Sequence, residues 1–157
     1  MMTRILRIAE AVLYVDDLPQ ATAFYRDVLQ LPLSASFGDA SFLQTGPNST
    51  LILFDLQKLR KRQSVIPAHG ADGAGHVALA APPEEMVAWR ERLDAHDVSI
   101  EHEQRWPQGT HSIYFRDPAG NSVELIEASH YRLVWEGLQD AGGDTPGIIV
   151  DSGAEPL

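Results

Sequence analysis

The sequence predicts an α+β fold made of two successive β-α-β-β-β modules. Three observations carry that prediction. Apolar residues alternate with polar ones in short runs, the period of half-buried strands. Each half contains one stretch with helical periodicity and an opening proline, Pro19 in the first half and Pro82-Pro83 in the second. The same order of elements returns after about 65 residues, a repeat of pattern rather than of identity.

The first strand is Ile8 to Val15, with Ala11, Leu13 and Val15 on one face and Glu10, Val12 and Tyr14 on the other. Asp16 and Asp17 end it and offer helix N-caps. Ala21, Phe24, Tyr25, Val28 and Leu29 form the apolar stripe of the helix, and Pro32 stops its continuation. Leu33 to Ser36, Ser41 to Thr45 and Thr50 to Phe54 read as strands, separated by turns at Gly38-Asp39 and Gly46-Pro47-Asn48. Leu56 to Gly75 reads as a loop connector. In the second half His76 to Ala80 is a strand, with His76 and Ala78 facing one way and Val77 and Leu79 the other. A helix with Met86, Val87, Trp89 and Leu93 on its apolar positions follows. Val98 to Gln104, His111 to Arg116 and Ser122 to Glu127 complete the module, the last two joined by the turn residues Asp117-Pro118-Ala119-Gly120-Asn121. The expected organisation is therefore a first module over 1–55, a linker over 56–74, a second module over 75–128 and a tail over 129–157, in which Tyr131, Leu133, Val134, Trp135 and Leu138 could make a short helix.

Composition excludes several classes of function. The chain has 157 residues, 44% hydrophobic and 22% charged, and no apolar run long enough to span a membrane. It carries no cysteine, so disulfides, thiolate metal sites and a cysteine nucleophile are excluded. Its start is too short and too charged for a secretory signal, and a cytoplasmic location is expected. A net charge of −10 argues against nucleic acid and anionic lipid as partners. Lys58, Arg60, Lys61 and Arg62 hold four of the twelve basic residues, either as a solvated linker or as a gate for an anionic substrate.

Three polar residues interrupt strand faces whose aliphatic neighbours alternate to the opposite side: Glu10, His76 and Glu124. They stand at matching places in the two halves and can converge on the open face of a curved sheet. One imidazole and two carboxylates suit a hard or borderline divalent ion, and three protein ligands leave room for water or substrate. The blander alternative is that Glu10 and Glu124 pair with Arg4, Arg7 or Arg116.

The stretches AVLYVDDLPQATAFYRDVLQLPL, GHVALA and YFRDPAGNSVELIE together resemble the vicinal oxygen chelate superfamily, which includes glyoxalase I, extradiol dioxygenases, fosfomycin-resistance proteins and bleomycin-resistance proteins. The resemblance covers about residues 5 to 127. It implies paired βαβββ modules forming a cup of curved mixed sheet, a homodimer, and family metal-ligand positions at Glu10, His76 and Glu124. The metal would be manganese, iron, zinc or nickel. It implies a metal-dependent lyase, isomerase or dioxygenase acting on a small oxygenated molecule, with Glu124 and Tyr114 catalytic. Tyr114 lies ten residues before Glu124, the spacing of a tyrosine in extradiol dioxygenases. Glu10 stands where many members have histidine, and Thr50 and Leu51 offer no acid where glyoxalase I has one. The other activity in such a family is metal-free binding of a cationic drug in the cup, with Trp106 and Tyr14 stacking on it. Arg116, Trp106 and His69 are further candidates for substrate contact: a carboxylate clamp or an ion pair with Asp117 or Glu124, an aromatic lid, and a connector histidine reaching the cup. His96 and His102 are expected in solvent, and His111 off the cup face.

Overall fold

The computed structural model describes residues 5 and 7–132. The helix expected around Tyr131 to Leu138 falls, beyond residue 132, outside the described residues. The α+β fold of two βαβββ modules is the one the sequence predicts. The first module has strands β1 (Glu10–Val15), β2 (Leu33–Ser36), β3 (Ala40–Gly46) and β4 (Ser49–Asp55) in the order β1-β4-β3-β2, with β1 parallel to β4 and the other pairs antiparallel. The second module repeats this with β5 (His76–Ala81), β6 (Ile100–Arg105), β7 (His111–Arg116) and β8 (Ser122–Glu127) in the order β5-β8-β7-β6. The two sheets are separate, and β1 and β5 each end a sheet.

Helix α1 (Leu18–Ala23) starts where the sequence predicts, with the Asp17 carboxylate accepting from the Gln20 amide and Pro19 in the first turn. It then widens into a π-turn over Phe24–Val28, which buries Phe24, Tyr25 and Val28 together. Helix α3 (Met86–Ala95) follows a single 3₁₀ turn at Pro83–Glu85. Met86 and Leu93 are buried and Trp89 packs against the core, but Val87, expected on the apolar face, is exposed. The connector departs from the all-loop expectation. Asp55 caps a short helix, α2 (Leu56–Lys61), by accepting from the Lys58 amide.

One hydrophobic cluster unites both modules. Leu13, Val15, Leu43, Leu51 and Leu53 of the first sheet meet Ile113, Phe115, Val123 and Leu125 of the second, with α1 and α3 contributing Ala21, Phe24, Tyr25 and Leu93. Leu79 and Val77 pack against it. The sheet faces carrying Glu10 on β1 and His76, Ala78 and Ala80 on β5 are therefore the ones left exposed. The linkage between modules is also polar. Tyr25 donates to Asp117 at 2.9 Å, and Arg92 donates to the Val28 carbonyl at 2.6 Å.

Candidate functional site

The turn between β7 and β8 sets the site. Asp117 is buried and accepts from the backbone amides of Ala119 and Asn121 and from the Asn121 side chain. Gly120 supplies the one positive φ of this turn, +84°. Asn121 in turn reaches both modules: its amide donates to the Tyr14 carbonyl, and its Oδ1 accepts from the Gly75 amide at 2.7 Å. Gly75 and Asn121 immediately precede β5 and β8, so this bond fixes the register that puts His76 opposite Ser122 and Ala78 opposite Glu124.

On the open face of the second sheet, Ala78, Glu124, Tyr114 and His102 form one row across β5, β8, β7 and β6. His76 Nε2 lies 3.4 Å from Glu124 Oε2. The other carboxylate oxygen accepts from the Tyr114 hydroxyl at 2.9 Å. His76 Nδ1 is 3.3 Å from Ser122 Oγ, and its ring stacks on Tyr114 at 6.4 Å and 21°. The Glu124 side chain is 7% exposed, whereas that of His76 is 51% exposed, so a buried acid faces solvent through an accessible imidazole. Burial, reinforced by the bond to Glu124, pushes the Tyr114 hydroxyl up to about 12. At neutral pH it is a neutral donor to the carboxylate.

Glu10 is not part of this group. It lies at the start of β1 on the other sheet, exposed and in register with Thr50. Among the described residues no three His, Asp or Glu side chains of one chain gather into a metal-binding cluster. The expectation that Glu10, His76 and Glu124 converge is thus not met within a single chain, because alternation fixes the face of a residue but not which sheet edges adjoin. Arg7 donates to the Asn48 carbonyl instead of pairing with Glu10, and Arg4 lies outside the described residues.

The remaining candidates are each engaged. Arg116 donates to Glu101 at 2.8 Å and to the Gly120 carbonyl, not to Asp117 or Glu124. A register shift in β6 between Ile100 and His102 displaces Glu101 and makes that partner unreadable from alternation. Trp106 donates from its indole to Ser112 at 2.8 Å and lies 5.0 Å from the ring of His130, so it is tethered rather than free as a lid. His69 reaches the first sheet's open face, bonding the Tyr14 hydroxyl through Nδ1 at 2.8 Å and meeting Phe54 edge-on at 5.1 Å. His111 is buried, off the open face as expected, 2.9 Å from Glu103. Two histidines near the strands complete the picture. His102 is exposed, as expected, yet lies 5.9 Å from the Tyr114 ring, a relation that the β6–β7 register alone reveals. His130, 2.6 Å from Thr110, had no signal because it follows the last strand.

Two βαβββ modules with an acid in the last strand and a histidine in the fifth define a known class. The chain belongs to the glyoxalase/bleomycin resistance protein/dioxygenase superfamily, whose family model matches residues 7–125. Among solved structures it is similar to a lactoylglutathione lyase from Agrobacterium tumefaciens, with 40% identity and a TM-score of 0.76, covering 82% of this chain and 98% of that one. Among curated proteins it is 25% identical to the metallothiol transferase FosB of Bacillus licheniformis over 151 residues, 96% of this chain and 91% of that protein. It is 27% identical to the glutathione transferase FosA of Serratia marcescens over 113 residues, 72% of this chain and 74% of that protein. No helix among the described residues is long and apolar enough to cross a membrane.

Proposed function

We propose that the protein is a divalent-metal-dependent enzyme acting on a small oxygenated molecule through two neighbouring oxygens. The observation that carries this reading is the His76–Glu124 pair on an open sheet face, with one carboxylate oxygen held by Tyr114 and the other turned to the imidazole. Nitrogen and carboxylate donors of this kind fit a manganese, iron, zinc or nickel ion. Glu10 is the third donor, supplied from the exposed first-module face of a second copy, so the working unit is a homodimer. When bound, such an ion polarises substrate oxygens and stabilises negative charge developing on them.

The chain's own residues then have distinct roles. Ser122, against Nδ1, orients the His76 ring and leaves Nε2 for ligation. Tyr114, kept neutral, donates to Glu124 and holds that carboxylate in place. Trp106, anchored on Ser112, covers one end of the same face. Thr50, in register with Glu10, offers a hydroxyl but no fourth carboxylate. The similarity to a lactoylglutathione lyase at 40% identity supports lyase or isomerase chemistry on a thiol-derived substrate over dioxygenation. A cysteine-free chain of this composition suits work in the cytoplasm.

The test is metal content by mass spectrometry on protein purified without chelator or affinity tag. Near-stoichiometric metal in the wild type, lost in His76→Ala and Glu124→Ala variants that keep their melting temperature, is the expected result. Wild-type protein that stays metal-free after incubation with all four ions overturns it, in favour of a metal-free ligand-binding cup.

A further inference from the structure

The connector folds back over the open face of the first sheet and builds a cleft of about 260 Å³. Its polar lining is Arg60, Arg62, Ser64 and His69, and its apolar lining includes Phe54 and Ile66; among the described residues no carboxylate lines it. In a chain of net charge −10 the lining itself is a local concentration of basic side chains. Each guanidinium is only partly used. Arg60 meets Asp72 through Nη2 at 2.7 Å, and Arg62 meets Asp39 through Nη1 at 3.2 Å. A guanidinium carries five N–H donors, and each of these exposed pairs uses one terminal nitrogen, so both forks can take a further anion.

The cleft also has a fixed position relative to Glu10. Phe54 is in register with Tyr14, and Tyr14 both bonds His69 and shares its β1 face with Val12 and Glu10. Four strand residues at ~3.3 Å each put the cleft ~13 Å from Glu10 along one open face. The aromatic pair Phe54 and Tyr14 lies at the cleft end of that distance.

We propose that this cleft binds the anionic arm, a carboxylate or a phosphoryl-type group, of an elongated substrate whose reacting oxygens lie toward Glu10. The inference rests on the reading of Glu10 as part of the reaction centre, but anion binding itself is measured separately. The cationic residues hold the arm by charge-assisted hydrogen bonds, and the aromatic floor carries the apolar stem.

The experiment is calorimetric titration of the full chain at low salt with inorganic phosphate and, separately, with succinate. We expect saturable binding of at least one. In Arg60→Gln/Arg62→Gln it should weaken by about tenfold or more, as loss of charge-assisted bonds requires. Lys61→Gln, which removes a neighbouring charge that does not line the cleft, should change it by less than about twofold. If the double variant melts early, Arg60→Lys and Arg62→Lys keep the charge but lose the fork and must still weaken binding. Preference for phosphate names a phosphoryl or phosphonate arm; preference for succinate names a carboxylate. No binding in the wild type, or equal loss in Lys61→Gln, overturns the proposal. His76→Ala should leave these titrations unchanged while its metal content falls, so failure of the metal reading is distinguishable from failure of this one.

Discussion

Two buried or half-buried ionic residues set expectations that are local and separable. Asp117 satisfies four donors, from Tyr25, Ala119 and twice from Asn121. Asp117→Ala strands the Tyr25 hydroxyl and the Asn121 backbone N–H in the interior, at about 1–3 kcal/mol for each buried group left unpaired. Denaturant unfolding should show a loss of about 2 kcal/mol or more, while Asp117→Asn loses less. Glu103 gives the pH dependence. The Arg90 guanidinium, donating twice, holds its carboxyl below the usual range, with lesser help from His111. A carboxyl lowered on folding stabilises the fold above its unfolded value near 4.5, and that contribution disappears as pH falls through the lower folded value. Its side chain is 38% exposed, so screening limits the pair to about 1 kcal/mol. Arg90→Gln should be slightly less stable at pH 7 and should lose less between pH 5 and pH 3 than the wild type, in melting curves taken across that range.

At the scale of elements, what was legible follows from what strand periodicity encodes. Glu124 stood out because Val123 and Leu125 flank it in a buried strand, and Tyr114 is its cross-strand partner in register. Two features escaped. The bulge in β6 redirected Glu101 toward Arg116, and no period survives a bulge. The connector is irregular beyond α2, so the sequence offers His69 as a histidine reaching the cup but not its partner, Tyr14, a contact between positions 55 residues apart. That bond has a measurable consequence. Tyr14→Phe removes the hydroxyl that tethers His69 and should cost about 1 kcal/mol of local stability in the connector. Trypsin cleavage at Arg60, Lys61 and Arg62 should then run about fivefold faster under native conditions, with the global melting temperature nearly unchanged. Equal cleavage rates would mean that the connector is held by its ion pairs alone.

For the whole molecule, the decisive fact is that the two sheets share one core on their inner faces and leave β1 and β5 as sheet ends. The sequence shows that Glu10, His76 and Glu124 each turn from the helix side. It cannot show whether they face one another within a chain, since both arrangements obey the same alternation. In the reading proposed above, Glu10 stands apart from the His76–Glu124 pair of its own chain and a second copy supplies it. A two-fold dimer would then hold two equivalent sites, each with Glu10 from one protomer and His76 and Glu124 from its partner. This arrangement predicts complementation between inactive variants. Glu10→Ala and His76→Ala homodimers should each lack metal. After unfolding and refolding of an equal mixture, half of the dimers are mixed and each mixed dimer regains one intact site of two. Metal content should therefore recover to roughly a quarter of the wild-type value, in proportion to the mixed dimers formed. A site confined to one chain recovers nothing, because every chain in the mixture carries a broken one.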